Sequence, residues 1–383
     1  MPDSRSVVFI CIAVFAIAVS ASACGGSDNS SSSASSTSAD STQEPAGESG
    51  VDVGTGKPIP LSPEEVKIAF ISPGQQTPTG TSMQEGIEKV ASSYGASVET
   101  FDGRLDPATQ FALFQNVISS GKFNVIITLP LSGEQSCEIL SKTAPSKGIV
   151  VVTTELPLCG REFESAIGNG LWQPGTLDIV GTTPTVEGIG GWAKACEEET
   201  GETGNGETIS INGYPGSPNY KVQHEALENT NMNLVADYAT KYSTTEALEK
   251  TAAALTAHPN LKVVVTQFHE MVGGVLQAIK SAGLKPGVDV KVCNYDGGTE
   301  ANLNLVKSGE LTLDGYQNNE WVAIAAAQSL FDAITGKPVE RVILPGKNGE
   351  IESSSAFYKA GKIWPTIVTK QNVNEFIDIP AAG

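Results

Sequence analysis

From Val66 onward, short continuous apolar runs alternate with segments whose apolar residues recur every three or four positions. Continuous Val/Ile runs of this kind predict buried parallel strands, and the recurring pattern predicts the helices that cover them. The predicted strands cover 66–71, 97–101, 125–127, 149–152, 208–211, 233–239, 261–265, 288–292 and 311–316. The clearest predicted helices cover 134–146, 220–229, 244–257, 270–282, 300–308 and 319–335. Because the alternation runs through both halves, it predicts an α/β fold with two doubly wound Rossmann-like lobes.

The candidate chemistry lies where strands end, because doubly wound sheets bind ligands beyond the carboxyl ends of their strands. Glu155 and Asp296 both follow predicted strands. We expect these carboxylates to accept hydrogen bonds from ligand hydroxyls or amines, while a paired acid and base for hydrolysis is the alternative.

Motifs for other chemistry are missing. The sequence has no P-loop and no Gly-x-Ser-x-Gly elbow, and His224, His258 and His269 lack zinc spacing. We therefore predict no catalytic residues, no metal and no cofactor.

Length and charge narrow the class of partner. A chain of 383 residues allows about two domains. With 24 basic and 43 acidic residues, its formal charge of -19 disfavours nucleic acid and anionic lipid. We expect a small-molecule solute instead.

The first 60 residues predict export. An apolar run from Val7 to Val19 is too short to span a bilayer and suits a signal peptide, here 1–23. Small residues precede Cys24, as in a bacterial lipobox, so we predict lipid on Cys24 and anchoring at the extracytoplasmic face of the cell membrane. An ordinary signal peptide beside an incidental cysteine is the alternative. The Ser/Gly-rich segment 24–60 is predicted to be a disordered tether.

A longer pattern resembles a known family. It runs from Thr256-Ala257-His258-Pro259 through 263–271 and 278–283 to Asn294-Tyr295-Asp296-Gly297. It resembles the second lobe of the periplasmic sugar-binding proteins of the ribose-binding type, which serve ABC importers, and the resemblance extends over about 66–368. It implies a type I periplasmic binding protein, with a ligand trapped between two lobes joined by three hinge crossings. Lobe one would comprise 61–182 plus 318–344, and lobe two would comprise 183–317 plus 345–383.

The resemblance also implies a ligand site, with departures from the family pattern. Asp296 and Gln317 match family positions, Glu155 replaces an aspartate, and Leu156 replaces an arginine. The residues expected at the ligand are Thr79, Gly80, Glu155, Leu156, Asn219, Lys221, Tyr242, Phe268, Asp296 and Gln317.

The departures alter the expected ligand. Thr79-Gly80 stands where the family has two aromatics, and Phe268-His269 replaces an Asn-Asp pair. Phe268, Tyr242, Tyr295 and Trp172 are candidates to restore the lost rings. Missing arginines predict a neutral or cationic ligand rather than an anionic one.

Four cysteines remain after Cys24 in the predicted mature body. Cys137 and Cys159 lie beyond adjacent predicted strands, so we predict a disulfide between them. For Cys196 and Cys293 the sequence allows either a disulfide or two buried thiols.

The resulting interpretation is a monomeric lipoprotein receptor that binds a neutral sugar or polyol by hinge closure and docks on an ABC permease. The alternatives are a receptor for a nucleoside, amine or signalling molecule that feeds a sensor, and an exported glycoside hydrolase.

Overall fold

A computed structural model describes residues 50–181, 185–214 and 218–377 of the chain. The predicted signal peptide, Cys24 and most of the predicted tether lie outside these ranges. Within the ranges, no helix is both long and apolar enough to cross a membrane.

Lobe one is built on a seven-stranded sheet in the order β12-β11-β5-β4-β3-β1-β2. Its strands are mostly parallel, and only β12 runs antiparallel to its neighbour. The strands are β1 Lys67–Ser72, β2 Ser97–Asp102, β3 Val125–Thr128, β4 Val150–Thr154, β5 Ile179–Val180, β11 Val342–Pro345 and β12 Ile351–Ser353.

Lobe two is built on a six-stranded sheet in the order β13-β10-β9-β8-β6-β7. Here β13 is the antiparallel edge strand. The strands are β6 Glu207–Asn212, β7 Asn233–Ala239, β8 Leu261–Phe268, β9 Lys291–Gly297, β10 Leu313–Tyr316 and β13 Thr366–Thr369.

Helices connect the strands in both lobes. They are α1 Pro78–Ser93, α2 Pro107–Ser120, α3 Gly133–Glu138, α4 Ala144–Ser146, α5 Val186–Thr200, α6 Pro218–Glu228, α7 Thr244–Ala257, α8 His269–Ser281, α9 Glu300–Ser308, α10 Asn319–Ile334, α11 Ser354–Lys359 and α12 Asn374–Ile377. A π-helical turn, Ile139–Thr143, joins α3 to α4. Local sequence sets several helix starts: the side chain of Asp106 accepts from the Thr109 N–H, and Pro107 follows it as the first helical residue.

Each lobe has apolar cores on the two faces of its sheet. Phe70, Ile87 and Phe331 belong to one core of lobe one, while Trp192 and Tyr295 belong to one core of lobe two. These side chains are fully buried. The predicted fold class, two α/β lobes of mostly parallel strands, is confirmed.

The chain passes between the lobes at three places. It leaves the first sheet after β5, returns between β10 and α10, and crosses again between α11 and β13. α10 packs against α1 and therefore belongs to lobe one.

Boundaries differ from the sequence prediction at several places. Pro345 lies in β11 and pairs with β12, so lobe one extends past 344 and the chain reaches lobe two only at β13. Residues 50–60 are not free tether, because Val51, Val53 and Ile59 are buried in the lobe one core. The strand predicted at 288–292 begins at Lys291, since Val288 is 69% exposed.

Two disulfides link elements within the lobes. Cys137 is bonded to Cys159, and Cys196, in α5, is bonded to Cys293, in β9. The sequence left the second pairing open. The first ties α3 to the loop after β4, and the second lies in the core of lobe two.

Candidate functional site

A cleft of about 300 Å³ is lined by residues of both lobes. Lobe one contributes side chains from α1, from the start of α3 and from the loop after β4, and lobe two contributes the ends of β8 and β9. The lining residues include Thr79, Glu155, Leu156, Tyr214, Asn219, Lys221, Tyr242, Gln267, Phe268 and Asp296. The cleft therefore lies at the carboxyl ends of the parallel strands, as the fold class predicts.

Glu155 follows β4 directly and is only 5% exposed. Its backbone has a φ of +59°, a left-handed conformation that few non-glycine residues adopt. Its Oε1 atom has no hydrogen-bond partner among the described residues. Burial raises the pKa of Glu155 well above its usual value, and the nearby charge of Asp296 adds to the rise. An acceptor oxygen is thus held in the cleft wall without a donor.

Glu155 is connected to the hinge by amide side chains. Gln317 hydrogen-bonds the Glu155 carboxylate, which favours its charged form. The Gln317 Nε2 donates to Asn319 Oδ1 at 3.2 Å, and the Asn319 Nδ2 donates to Thr79 Oγ1 at 3.2 Å. These contacts join Glu155 and the second hinge crossing to the start of α1.

Asp296 supplies the lobe two carboxylate. It lies near the end of β9, directly opposite Phe268 at the end of β8. Its Oδ1 is buried without a partner among the described residues. Burial raises the pKa of Asp296, and the neighbouring Asp314 raises it further. Like Glu155, it presents an acceptor that a ligand donor would complete.

Behind Asp296, the fully buried Asp314 accepts three hydrogen bonds. The donors are Asn294 Nδ2 at 2.7 Å, the Gly298 N–H at 2.8 Å and Asn302 Nδ2 at 3.3 Å. Burial raises the pKa of Asp314 to about 6 against the lowering effect of these bonds. The network fixes the polypeptide on either side of Asp296.

Aromatic rings form the apolar side of the lobe two wall. Tyr242 makes edge contacts with Phe268 and Tyr214, each at a centroid distance of 5.5 Å. Tyr214 also donates to the Leu105 carbonyl across the cleft at 3.3 Å. The rings thus offer faces for stacking and one direct contact between the lobes.

The next ring, His269, is buried 4.0 Å from Phe268 between centroids. Burial lowers the pKa of His269 to about 4, and neither ring nitrogen has a hydrogen-bond partner among the described residues. The imidazole is therefore neutral at pH 7 and adds no positive charge beside the cleft.

Comparisons with known proteins agree with this architecture. The profile of the family described as "Periplasmic binding protein domain" matches residues 68–338. That match covers most of the chain. The chain belongs to the periplasmic binding protein family.

Relatives within the family are ribose import binding proteins. That of Bacillus subtilis is 25% identical over 269 residues, which cover 70% of this chain and 81% of the relative. That of Escherichia coli is 22% identical over 278 residues, covering 71% and 86%. The recognised resemblance to the ribose-binding type is confirmed.

Solved structures share the fold. An ABC transporter solute-binding protein from Agrobacterium vitis, bound to α-D-tagatopyranose, has a TM-score of 0.65 at 19% identity and covers 82% of this chain and 99% of its own. One from Bacillus halodurans with bound myo-inositol has a TM-score of 0.64 at 19% identity, covering 82% and 97%. At these identities the likeness establishes the fold.

Within this periplasmic binding protein, most residues predicted at the ligand do line the cleft. They are Thr79, Glu155, Leu156, Asn219, Lys221, Tyr242, Phe268 and Asp296. Gly80 does not line it: a side chain there would lie 2.1 Å from the Gly74 carbonyl, so this glycine permits close packing of the α1 start. Gln317 lies behind the wall and contacts Glu155 instead of the cleft surface.

Two ring candidates are wrong. Tyr295 is fully buried against Trp192 in the lobe two core, because alternation along β9 directs it away from Asp296. Trp172 packs on Gly54 and under Arg341, whose guanidinium carbon lies 4.5 Å from the ring centroid.

Several lining residues were missed from the sequence. Gln267 lines the cleft, its Oε1 accepts from the Gly213 N–H at 2.7 Å, and its Nε2 lacks a partner among the described residues. Its place at the end of a strand was a usable signal. Tyr214 and Glu162 lie in loops, where the sequence pattern carries no such signal.

Proposed function

We propose that this chain is the extracytoplasmic receptor of an ABC importer and binds a small polyhydroxylated solute, a sugar or polyol, in the cleft between its lobes. The observation that carries the proposal is the convergence on one cleft of polar atoms that have no hydrogen-bond partner among the described residues. Glu155 Oε1 comes from lobe one, and Asp296 Oδ1 and Gln267 Nε2 come from lobe two.

Hydroxyl groups suit this set because each can donate to a carboxylate and accept from an amide. The Tyr242 and Phe268 rings supply the apolar surface against which the C–H face of a sugar packs. A cleft of about 300 Å³ is at the small end of the range for ligand sites and fits a monosaccharide-sized molecule. Similar proteins carry tagatopyranose and myo-inositol, which supports this class.

Hinge closure follows from the ligand groups being divided between lobes. A ligand that contacts both Glu155 and Asp296 interacts fully only with the closed arrangement, so it shifts the population toward that arrangement. Binding alone accomplishes this function, and no covalent step is required.

The remaining parts of the proposal concern the membrane. Lipid on Cys24 would anchor the monomeric receptor, and the closed lobes would dock on permease subunits. Cys24 itself lies outside the described residues. Metabolic labelling with a radioactive fatty acid, compared between the natural chain and Cys24→Ser, tests the anchor, and failure to label the natural chain contradicts it.

Thermal unfolding of the full chain against pentoses, hexoses, polyols, nucleosides and amines tests the ligand class. A ligand that binds only the folded state at 100 times its Kd adds about 2.7 kcal/mol of stability. We expect a sugar or polyol to raise the melting temperature and Asp296→Ala to remove the rise. Glu228→Gln, on the exposed outer face of α6, should retain it. If only nucleosides raise the melting temperature, the proposed ligand class is wrong. If a product forms from an added glycoside, the chain is a hydrolase and the receptor proposal is wrong.

A further inference from the structure

The cleft is lined by more carboxyl groups than cationic side chains. We propose that the natural ligand bears a protonated amine as well as hydroxyl groups, and that its ammonium group binds against Glu155 and Asp296. This inference rests on the proposed receptor function and names the ligand class for the same cleft.

The first observation is the charge of the lining. Four carboxylates line the cleft, namely Glu134, Glu155, Glu162 and Asp296, against one cation, Lys221. Lys221 is exposed, whereas Glu155 and Glu162 are buried. None of the described lining residues is an arginine, and Arg161 nearby donates to Gln173 and to the Gly170 carbonyl instead. The imbalance is therefore greatest at the buried end of the cleft.

The second observation is independent of the charge count. Glu155 is more than nine-tenths buried, lines the cleft and has an oxygen without a donor among the described residues. Asp296 Oδ1 and Asn219 Oδ1 are buried acceptor atoms that also lack a donor among the described residues, and Gln267 Nε2 is a buried donor atom that lacks an acceptor there. Among these atoms without partners, hydrogen-bond acceptors outnumber donors. A ligand group with several donors would therefore complement the cleft walls.

An ammonium group matches this demand better than a hydroxyl. It has three donors and no acceptor, and it also cancels charge. A hydroxyl can satisfy a lone pair on Glu155 but leaves two carboxylates facing each other in a poorly solvated cleft, which is costly. The Tyr242 and Phe268 rings favour a cation further, since ring faces attract positive charge.

The groups around the pair do not supply the missing charge. Glu155 faces Asp296 and the neutral amide of Gln317. Asp296 has Asp314 behind it, and the buried His269 beside it is neutral at pH 7. Burial raises the pKa values of both carboxyl groups, the charge of Asp296 adds to the rise at Glu155, and the charge of Asp314 adds to the rise at Asp296. Protons on these groups would therefore relieve the repulsion in an empty cleft. A cationic ligand would displace such a proton on binding.

Matched solutes test the inference by isothermal calorimetry on the full chain. The amines are glucosamine, galactosamine and 1-amino-1-deoxysorbitol, and their neutral partners are glucose, galactose and sorbitol. N-acetylglucosamine controls for size without charge. We expect at least one amine to bind at least tenfold more tightly than its neutral partner at pH 7.5. We also expect the affinity of this amine to rise between pH 5.5 and 7.5. Binding should release protons, which is measured by comparing the binding enthalpy in buffers of different ionisation enthalpy.

Variants locate the effect. Glu155→Gln and Asp296→Asn should each weaken amine binding at least tenfold more than binding of the neutral partner, whereas Glu138→Gln, on the exposed outer side of α3, should leave the preference intact. Neutral partners that bind within threefold of the amines overturn the inference and leave the receptor function standing. If no member of either series binds, the receptor proposal for sugars and polyols fails together with the inference.

Discussion

The two lobes position the residues that we propose bind the ligand in different ways. In lobe two, Phe268 and Asp296 lie on strands, opposite each other in a regular parallel register. In lobe one, Glu155 lies just past its strand in a left-handed conformation, and the following loop is held by the Cys137–Cys159 disulfide. A ligand group on a strand is positioned by the sheet itself, whereas one in a loop needs separate restraints.

The loop restraints in lobe one are close and local. The Cys159 N–H donates to the Gly133 carbonyl at 3.0 Å, and a side chain at Gly133 would lie 1.9 Å from the Pro157 carbonyl. In lobe two the Cys196–Cys293 disulfide instead spans 97 residues through a buried core. We infer that the first disulfide shapes the cleft and the second stabilises the lobe.

Removing each disulfide in turn should distinguish these two roles, and it should have the largest effect on stability of the changes considered. Loop entropy predicts a loss of about 4 to 5 kcal/mol for Cys196→Ala with Cys293→Ala, and about 3 kcal/mol for Cys137→Ala with Cys159→Ala. Ligand affinity should show the opposite order, with the larger loss in the lobe one double variant. Urea unfolding and calorimetry measure the two quantities. A larger affinity loss in the lobe two variant would contradict the distinction.

Replacing a buried aspartate by asparagine should cost more stability in lobe two than in lobe one, and this is the next largest expected difference. In Asp314→Asn an amide replaces an oxygen that accepts from buried donors, so we expect a loss of about 2 to 3 kcal/mol. Asp178→Asn, in lobe one, should cost about 1 kcal/mol or less. Asp178 accepts from Ser329, and its Oδ1 has no partner among the described residues. Equal losses in urea unfolding would show that the two buried carboxylates are held alike.

The pH dependence of stability should come from both lobes. Burial raises the pKa of Asp178 to about 7 and that of Asp314 to about 6. The folded state therefore binds more protons than the unfolded state, whose carboxyl groups titrate near pH 4. The free energy of unfolding should fall as pH rises from about 4 to about 7, by about 1.4 kcal/mol for each pH unit that separates a group's unfolded and folded pKa values.

Urea midpoints across this range measure the slope. Asp178→Asn should reduce the slope up to pH 7, and Asp314→Asn should reduce it only up to about pH 6, while the raised pKa values of Asp296 and Glu155 leave part of the slope in both variants. A natural chain whose stability rises over the same range would contradict the raised pKa values.

The smallest predicted effect concerns the contact across the cleft. Tyr214→Phe removes the hydrogen bond to the Leu105 carbonyl, which is worth about 0.5 to 1.5 kcal/mol. Ligand affinity should fall by about two- to tenfold with little change in thermal stability. Small-angle scattering without ligand should show a larger average radius than for the natural chain. An unchanged radius and affinity would mean that this contact does not favour closure.

The same contrast explains what the sequence could predict. Continuous apolar runs show where strands lie, and Phe268 and Asp296, which follow two such runs, do line the cleft. The runs did not give the strand ends, because β8 and β9 extend to Phe268 and Gly297. Glu155 was found because it directly follows a strand. Gly80 was misplaced because sequence position cannot show that it packs on the Gly74 carbonyl. Tyr214 and Glu162 were missed because loops have no periodicity that reports their direction.

Boundaries that depend on distant contacts were likewise not readable. Residues 50–60 have the composition of a tether at their start, yet Asp52 pairs with Arg341, 289 positions away. The antiparallel pairing of β11 with β12 kept the chain in lobe one past the predicted crossing at 344. In both cases a partner far along the chain decides the structure, and local patterns do not encode it.

The segment that begins at Val51 has a mechanical consequence. Val51 bridges to Ile59, the Val53 carbonyl accepts from the Gly175 N–H at 2.7 Å, and Asp52 binds Arg341 through backbone and side chain. Tension applied to the polypeptide at Gly50 would therefore load these bonds and the Trp172 ring under Arg341 before it reached any of the three crossings. These contacts fix the segment to lobe one, so force applied at this end of the described chain would not act on the opening and closing of the lobes.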